Sequence, residues 1–275
     1  MEQKKESLTR RKFLIKSGLA TAATPLIPFS IRGEEPLIAT DESSFEFVFM
    51  TDIHIKPEMY APKGFQMAID KTNELNPDFV ITGGDLVYDV MRGDYEKSDA
   101  LFKLYTQMAK GFKMPVYNCI GNHDLFGIYE ESPEDETHPD YKYGMWQRYF
   151  GETYYAFDHK GWHFITLNSL DVTDNKRYKG SFHQDQLAWL RNHLKAIDTK
   201  KPIVITTHIP MLCTYSQLNG KEGTRTANNA FEVFDIFKDH NLKLVLQGHI
   251  HGRTQRMKSL LYFYQIELIL LWKEI

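Results

Sequence analysis

Seven short apolar runs punctuate the chain, at residues 45–50, 79–82, 116–120, 154–157, 163–167, 203–207 and 242–246. They are rich in β-branched or aromatic residues and bounded by Gly, Pro, Asn or Asp, the composition of buried strands. Between them, residues 63–75, 95–112, 184–194 and 230–240 space their apolar positions three and four apart. Leu187, Leu190 and Leu194, for example, fall on one helix face with Trp189 beside them. Strand followed by helix, repeated, predicts an α/β protein with a largely buried sheet. Residues 154–157 and 163–167, joined by Asp158-His159-Lys160-Gly161-Trp162, read as a hairpin.

Two segments break this rhythm. Residues 127–144 gather Glu130, Glu131, Glu134, Asp135, Glu136 and Asp140 among Pro, Ser and Thr, which predicts a solvated acidic loop, placed where a lid would sit. Residues 260–271 are apolar enough for one strand but offer no turn and little alternation. No repeat of solenoid length and no low-complexity tract occurs.

Composition narrows the class. At 275 residues, with 42% hydrophobic and 25% charged positions, the chain suits one large globular domain. The net charge of −3 hides an asymmetry, because residues 1–32 carry seven Lys/Arg against two Glu and leave −8 on the rest. A mildly acidic body argues against nucleic-acid binding, which rests on basic residues neutralising phosphates. Cys119 and Cys213 are too few for a disulfide framework, leaving either one bridge or two buried thiols.

The basic N-terminus carries an address. Thr9-Arg10-Arg11-Lys12-Phe13-Leu14 follows a Lys-rich start and precedes a weakly apolar stretch with small residues at Ala20, Ala22 and Ala23. This order resembles a bacterial twin-arginine export signal, with an amphipathic basic helix as the alternative. The resemblance implies a signal segment at residues 1–35, a domain at 43–275, and export to the periplasm by the twin-arginine translocation machinery. Lys16 and the prolines Pro25 and Pro28 interrupt the apolar stretch, so no stable membrane span is expected.

Metal-competent residues fall at the ends of the predicted strands. Asp52 and His54 follow the first run and Asp85 the second; Asn122, His123 and Asp124 follow the third. His208 follows the run at 203–207, and His249 and His251 the last. Carboxyl ends of strands in open α/β sheets face the binding crevice, so these groups are expected to converge on one edge.

The ordered set Asp52-Ile53-His54, Gly84-Asp85, Gly121-Asn122-His123-Asp124, His208 and Gly248-His249-Ile250-His251 resembles the five-motif signature of the calcineurin-like metallophosphoesterases. That resemblance implies a β-sandwich flanked by helices and hydrolysis of a small phosphate ester, mono or di, by a water or hydroxide bridging two metal ions. It assigns Asp52, His54 and His251 to one ion, Asn122, His208 and His249 to the other, and Asp85 to both. Imidazole and oxygen ligands suit Fe, Mn, Zn or Co. His123 is then the catalytic residue, free to protonate the leaving oxygen, with Asp124 or Asp89 as candidates to orient it. The alternative is a metal- or phosphate-binding member of the same fold with impaired turnover.

Two departures from the family pattern stand out. Tyr88 resembles the iron-ligating tyrosine of purple acid phosphatases, but His54 competes for that role, which leaves Tyr88 beside the centre. Only 24 residues follow His251, so the C-terminal part looks short and is expected to leave sheet surface uncovered.

Overall fold

The computed structural model describes residues 44–213 and 225–250, and the backbone of 254–258, 261–265 and 270–273. The chain starts β1 (Glu46–Met50), α1 (Ala61–Leu75), β2 (Phe79–Thr82), α2 (Tyr95–Ala109) and β3 (Val116–Asn118), then a 3₁₀ turn at Asn122–Asp124. Next come α3 (Gly144–Phe150), β4 (Tyr155–His159), β5 (Trp162–Thr166), β6 (Leu170–Val172), β7 (Tyr178–Gly180) and α4 (Gln184–Leu194). It closes with β8 (Ile203–Thr207), α5 (Ala230–Ile236), β9 (Leu242–Gln247), β10 (Thr254–Lys258), β11 (Leu261–Gln265) and β12 (Leu270–Lys273).

Alternation along β1 sends its side chains into two cores. Phe47 and Phe49 join Phe79 and Ile81 on one face, and Val48 and Met50 join Val80 on the other. Successive Cβ atoms of a strand point to opposite faces, so an unbroken apolar run fits a sheet covered on both sides. The first face meets Phe164, Val204, Leu244 and Leu246 of the second sheet. There Phe47 stacks on Phe79 at 5.3 Å, and Phe164 stands edge-on to them at 5.9 and 5.2 Å. Each such ring contributes about 1.5–3 kcal/mol by leaving water.

Helices cover the outer faces. Phe65 and Ile69 of α1, Phe102 and Tyr105 of α2 and Trp146 of α3 pack with Val48 and Val80. Leu187, Leu190 and Leu194 of α4 and Val233 of α5 pack with Ile165, Ile205 and Val245. The result is the expected sandwich of two sheets flanked by helices. Among the described residues no helix is long and apolar enough to cross a membrane.

One sheet has the order β12-β1-β2-β3 and the other β10-β11-β9-β8-β5-β4, with β6 and β7 as a separate pair. Strands β1, β2 and β3 run parallel, as do β5, β8, β9 and β11. Parallel strands bring their carboxyl ends to the same edge, which places the motif loops together.

Several expectations change in detail. The helix predicted to residue 112 stops at Ala109 and the one predicted to 240 stops at Ile236. The hairpin turn shrinks to Lys160-Gly161, both at positive φ (40° and 83°), which matches the twist of the flanking strands. The acidic segment is no simple solvated loop: Asp140 is buried and accepts from the Arg148 guanidinium at 2.6 Å, and Tyr129 is in the core. The tail predicted as one strand forms β11, parallel to β9, and β12, antiparallel to β1, so each large sheet gains a tail strand where uncovered surface was expected. No disulfide joins the two cysteines, whose side chains are both buried. The export signal lies outside the described residues.

Candidate metal centre

The ladder between β1 and β2 continues past the strand ends. Asp52 N–H donates to Gly84 O at 3.0 Å, His54 N–H to Asp85 O at 2.9 Å and Ile55 N–H to Leu86 O at 2.9 Å. Asp52 (56°), His54 (47°), Asp85 (53°) and His249 (71°) nonetheless hold left-handed φ. Each such non-glycine residue costs on the order of 1 kcal/mol or more, and such cost gathers where surrounding structure holds a functional group in place.

Glycines make the close approach possible. A Cβ on Gly121 would lie 2.0 Å from Asp85 N and 2.2 Å from Asp85 Oδ1. A Cβ on Gly84, itself at φ 96°, would lie 2.5 Å from His208 Nδ1. These two glycines therefore let the loops after β2, β3 and β8 touch.

The ligand atoms of His54, Asp85 and His123 lie within 4.8 Å of one another, as do those of Asp85, His208 and His249. Asp85, fully buried, belongs to both groups. Its Oδ2 sits 3.2 Å from His208 Nε2 and 3.6 Å from His54 Nε2, and its Oδ1 accepts His123 N–H at 2.8 Å. Asp52 joins by accepting the Thr51 hydroxyl at 2.7 Å and His249 N–H at 3.1 Å. Asn122 Oδ1 lies 3.1 Å from His208 Nε2. Thus Asp52, His54, Asp85, Asn122, His123, His208 and His249 converge, while His251 lies outside the described residues.

His208 carries the test of whether a cation fits. Its ring Nδ1 lies 2.7 Å from Gly83 O, an acceptor, so Nδ1 holds a proton. Nε2 then faces two oxygens, Asp85 Oδ2 and Asn122 Oδ1. A lone pair aimed at two acceptors is repulsive; either a second ring proton or a shared cation resolves it. The donor set of imidazoles, carboxylates and one amide oxygen suits a transition metal, so the residues fit the group.

The electrostatics agree. Burial disfavours charge on both members of the Asp85–His208 pair, yet each is the other's counter-charge. Asp85 is held well below the usual carboxylate range, and His208 is pushed up to about 9. Burial keeps His54 below its ordinary value despite the pull of Asp85. An anionic carboxylate is ready to bind a metal, whereas the His208 ring would have to release a proton first, so a cation bound here would take the place of that proton.

His123 is placed differently from the expectation. Its Nδ1 accepts the backbone N–H of Asp89 at 3.2 Å, which leaves the neutral ring's proton on Nε2. Neither nearby carboxylate takes the ring. Asp124 accepts Val87 N–H at 3.0 Å and Gly121 N–H at 2.8 Å, tying two motif loops together, and Asp89 accepts Arg92 Nη1 at 2.9 and 2.8 Å. Burial and the neighbouring Asp85 push Asp124 up to about 7. Tyr88 sits beside the centre, its ring 6.3 Å from His54 and 6.2 Å from His123.

Sequence reasoning missed Gly83, whose carbonyl fixes His208, although its adjacency to Gly84 was a signal. It also missed Tyr178 on β7, whose ring stands 6.0 Å from that of His249.

A profile of the Calcineurin-like phosphoesterase family matches residues 45–253. A serine/threonine-protein phosphatase of Bos taurus is 26% identical over 198 residues, covering 70% of this chain and 60% of that protein. The chain thus spans about three fifths of that relative's length. A 3′,5′-cyclic-nucleotide phosphodiesterase of Nostoc sp. is 26% identical over 223 residues, covering 78% and 74%. Among solved structures, a dimetal phosphatase from Danio rerio superposes with a TM-score of 0.59 at 15% identity, covering 81% of this chain and 87% of that one, a likeness of fold. The profile runs from the start of the first sheet through every motif described above, and the chain belongs to the calcineurin-like phosphoesterase family.

Proposed function

We propose that the protein is a metal-dependent hydrolase of phosphate esters that works with two transition-metal ions, drawn from Fe, Mn, Zn or Co. By the family resemblance Asp52, His54 and His251 would hold one and Asn122, His208 and His249 the other, with Asp85 available to both. The observation that carries this reading is that Asp85 Oδ2 faces His54 Nε2 at 3.6 Å on one side and His208 Nε2 at 3.2 Å on the other. When bound, such a pair supplies Lewis acidity and a hydroxide nucleophile at neutral pH.

The chain's own residues then orient and protonate. His123, with Nδ1 held by the Asp89 amide, presents Nε2–H to the leaving oxygen and transfers that proton as the P–O bond breaks. Metal storage alone does not call for a ring fixed in that tautomer, which favours turnover over an impaired binding protein. The Gly83 carbonyl keeps the His208 ring turned toward Asp85.

The test is metal analysis of the purified protein followed by assays on p-nitrophenyl phosphate and bis-p-nitrophenyl phosphate. The reading requires about two transition-metal ions per chain, as in two-metal hydrolysis, and release of nitrophenol from at least one ester. A chain that binds neither metal nor ester defeats it. One relative is a protein phosphatase and another a cyclic-nucleotide phosphodiesterase, so both esters belong in the assay.

We also propose that residues 1–35 direct export to the periplasm by the twin-arginine route, supported by Thr9-Arg10-Arg11-Lys12-Phe13-Leu14. Cell fractionation of the full chain tests it: Arg10→Lys with Arg11→Lys is expected to trap the protein inside the cell. An unchanged distribution refutes the proposal.

A further inference from the structure

A groove of about 790 Å³ opens beside the centre, between the loop that follows His54 and helix α2. Met59, Pro62, Tyr88, Leu101 and Leu104 form its walls, and Lys56 lies among them. Met59 is 79% exposed and the adjacent Tyr60 84%. Both hold left-handed φ, at 55° and 60°, so the backbone accepts strain while leaving apolar side chains in water. Exposed apolar surface collected in a concave site marks binding.

Tyr88 links the groove to the chemistry, because its ring stands 6.2 Å from that of His123. In an in-line displacement the leaving oxygen departs on the side away from the nucleophile. The acid that protonates it stands on that side. An alcohol leaving past His123 therefore runs over Tyr88 and into the groove. Lys56 holds its ammonium 3.7 Å above the Tyr88 ring, a fixed positive charge where a phosphate's negative charge would enter. Lys97, also in the lining, is engaged by Asp94 at 2.7 Å.

We propose, resting on the phosphoesterase reading, that this groove receives the alcohol portion of the substrate, and that the substrate class is phosphate esters of apolar alcohols.

The experiment uses the metal-loaded full chain and two homologous series that keep the reacting group constant. Binding of n-alkylphosphonates from methyl to hexyl is measured by calorimetry, and hydrolysis of the matching n-alkyl phosphates by phosphate release. Affinity and kcat/KM are expected to rise about three- to fourfold per methylene, the gain from burying one CH₂. Ala100→Trp, which fills the groove from α2, and Met59→Asp, which charges the wall across from it, are each expected to flatten both series, so that hexyl and methyl compounds bind and react alike.

A flat series in the unaltered protein, or a slope that survives both substitutions, overturns the groove. Self-association of the unaltered protein that Ala100→Trp abolishes does so too, by assigning the groove to a second copy. Hydrolysis with a flat series leaves the phosphoesterase reading standing; chain-length-dependent binding with neither these monoesters nor bis-p-nitrophenyl phosphate hydrolysed leaves the groove and removes that reading.

Discussion

His208 Nδ1 lies 2.7 Å from the carbonyl oxygen of Gly83, a residue 125 positions earlier in the chain. The contact joins the loop after β8 in one sheet to the loop after β2 in the other. It also fixes which nitrogen of His208 faces Asp85, so one hydrogen bond serves the sandwich and the candidate centre together.

In the metal-free protein, His208→Ala removes that contact and strips buried Asp85 of its nearest counter-charge. An uncompensated buried carboxylate costs about 3–5 kcal/mol. The expected outcome is a loss of that order in urea unfolding, together with a drop in bound metal when metal is restored. A variant as stable as the parent would mean that His208 and Asp85 are not coupled.

Gly121→Ala tests the close approach. The added Cβ would meet Asp85 N at 2.0 Å and Asp85 Oδ1 at 2.2 Å, and backbone atoms cannot swing aside as a flexible side chain can. Displacing a reacting group by about 1 Å costs on the order of a hundredfold in rate. Turnover is expected to fall at least that far while circular dichroism stays near that of the parent; unchanged turnover would contradict the packing described.

Away from the centre, Asp99 sits buried between α2 and α3, accepting from Lys103 Nζ at 2.7 Å, Tyr149 OH at 2.7 Å and Arg148 Nη2 at 2.8 Å. Burial works to raise its pKa, but these donors bring it down from 3.8 to about 2. A depressed carboxylate stabilises the fold above its unfolded value and loses that contribution as pH falls through the folded one. Asp99→Asn is therefore expected to cost on the order of 1–2 kcal/mol at pH 6, with the gap to the parent closing as pH falls from about 4 toward 2. A gap independent of pH would assign the cost to packing instead.

What could be read from the sequence follows from where the physics is local. Phe79–Thr82 and Ile203–Thr207 were legible to the residue because both faces of those strands are buried and apolar. The convergence of Asp52, His54, Asp85, Asn122, His208 and His249 was legible because parallel strands bring their carboxyl ends to one edge. Helix α3 was not, since its seven residues are anchored by distant partners: Arg148 reaches Asp99, and just before it Tyr143 OH donates to Leu170 O at 2.6 Å. The three-residue strands β6 and β7 are too short for alternation to register. The partner of His123 is a backbone amide, which no side-chain pattern announces. The tail was misread as one strand because its apolar residues are divided between two sheets.

The central claim is that Asp85 is shared by two ion sites while His123 acts on the leaving group. Metal content and turnover of Asp85→Asn and His123→Ala, measured side by side, test it most directly. Asp85→Asn is expected to lose both metal and activity. His123→Ala is expected to keep its metal and lose about 10²- to 10⁴-fold in kcat, the usual worth of a general acid. Full metal in Asp85→Asn, or metal loss in His123→Ala, would contradict the account.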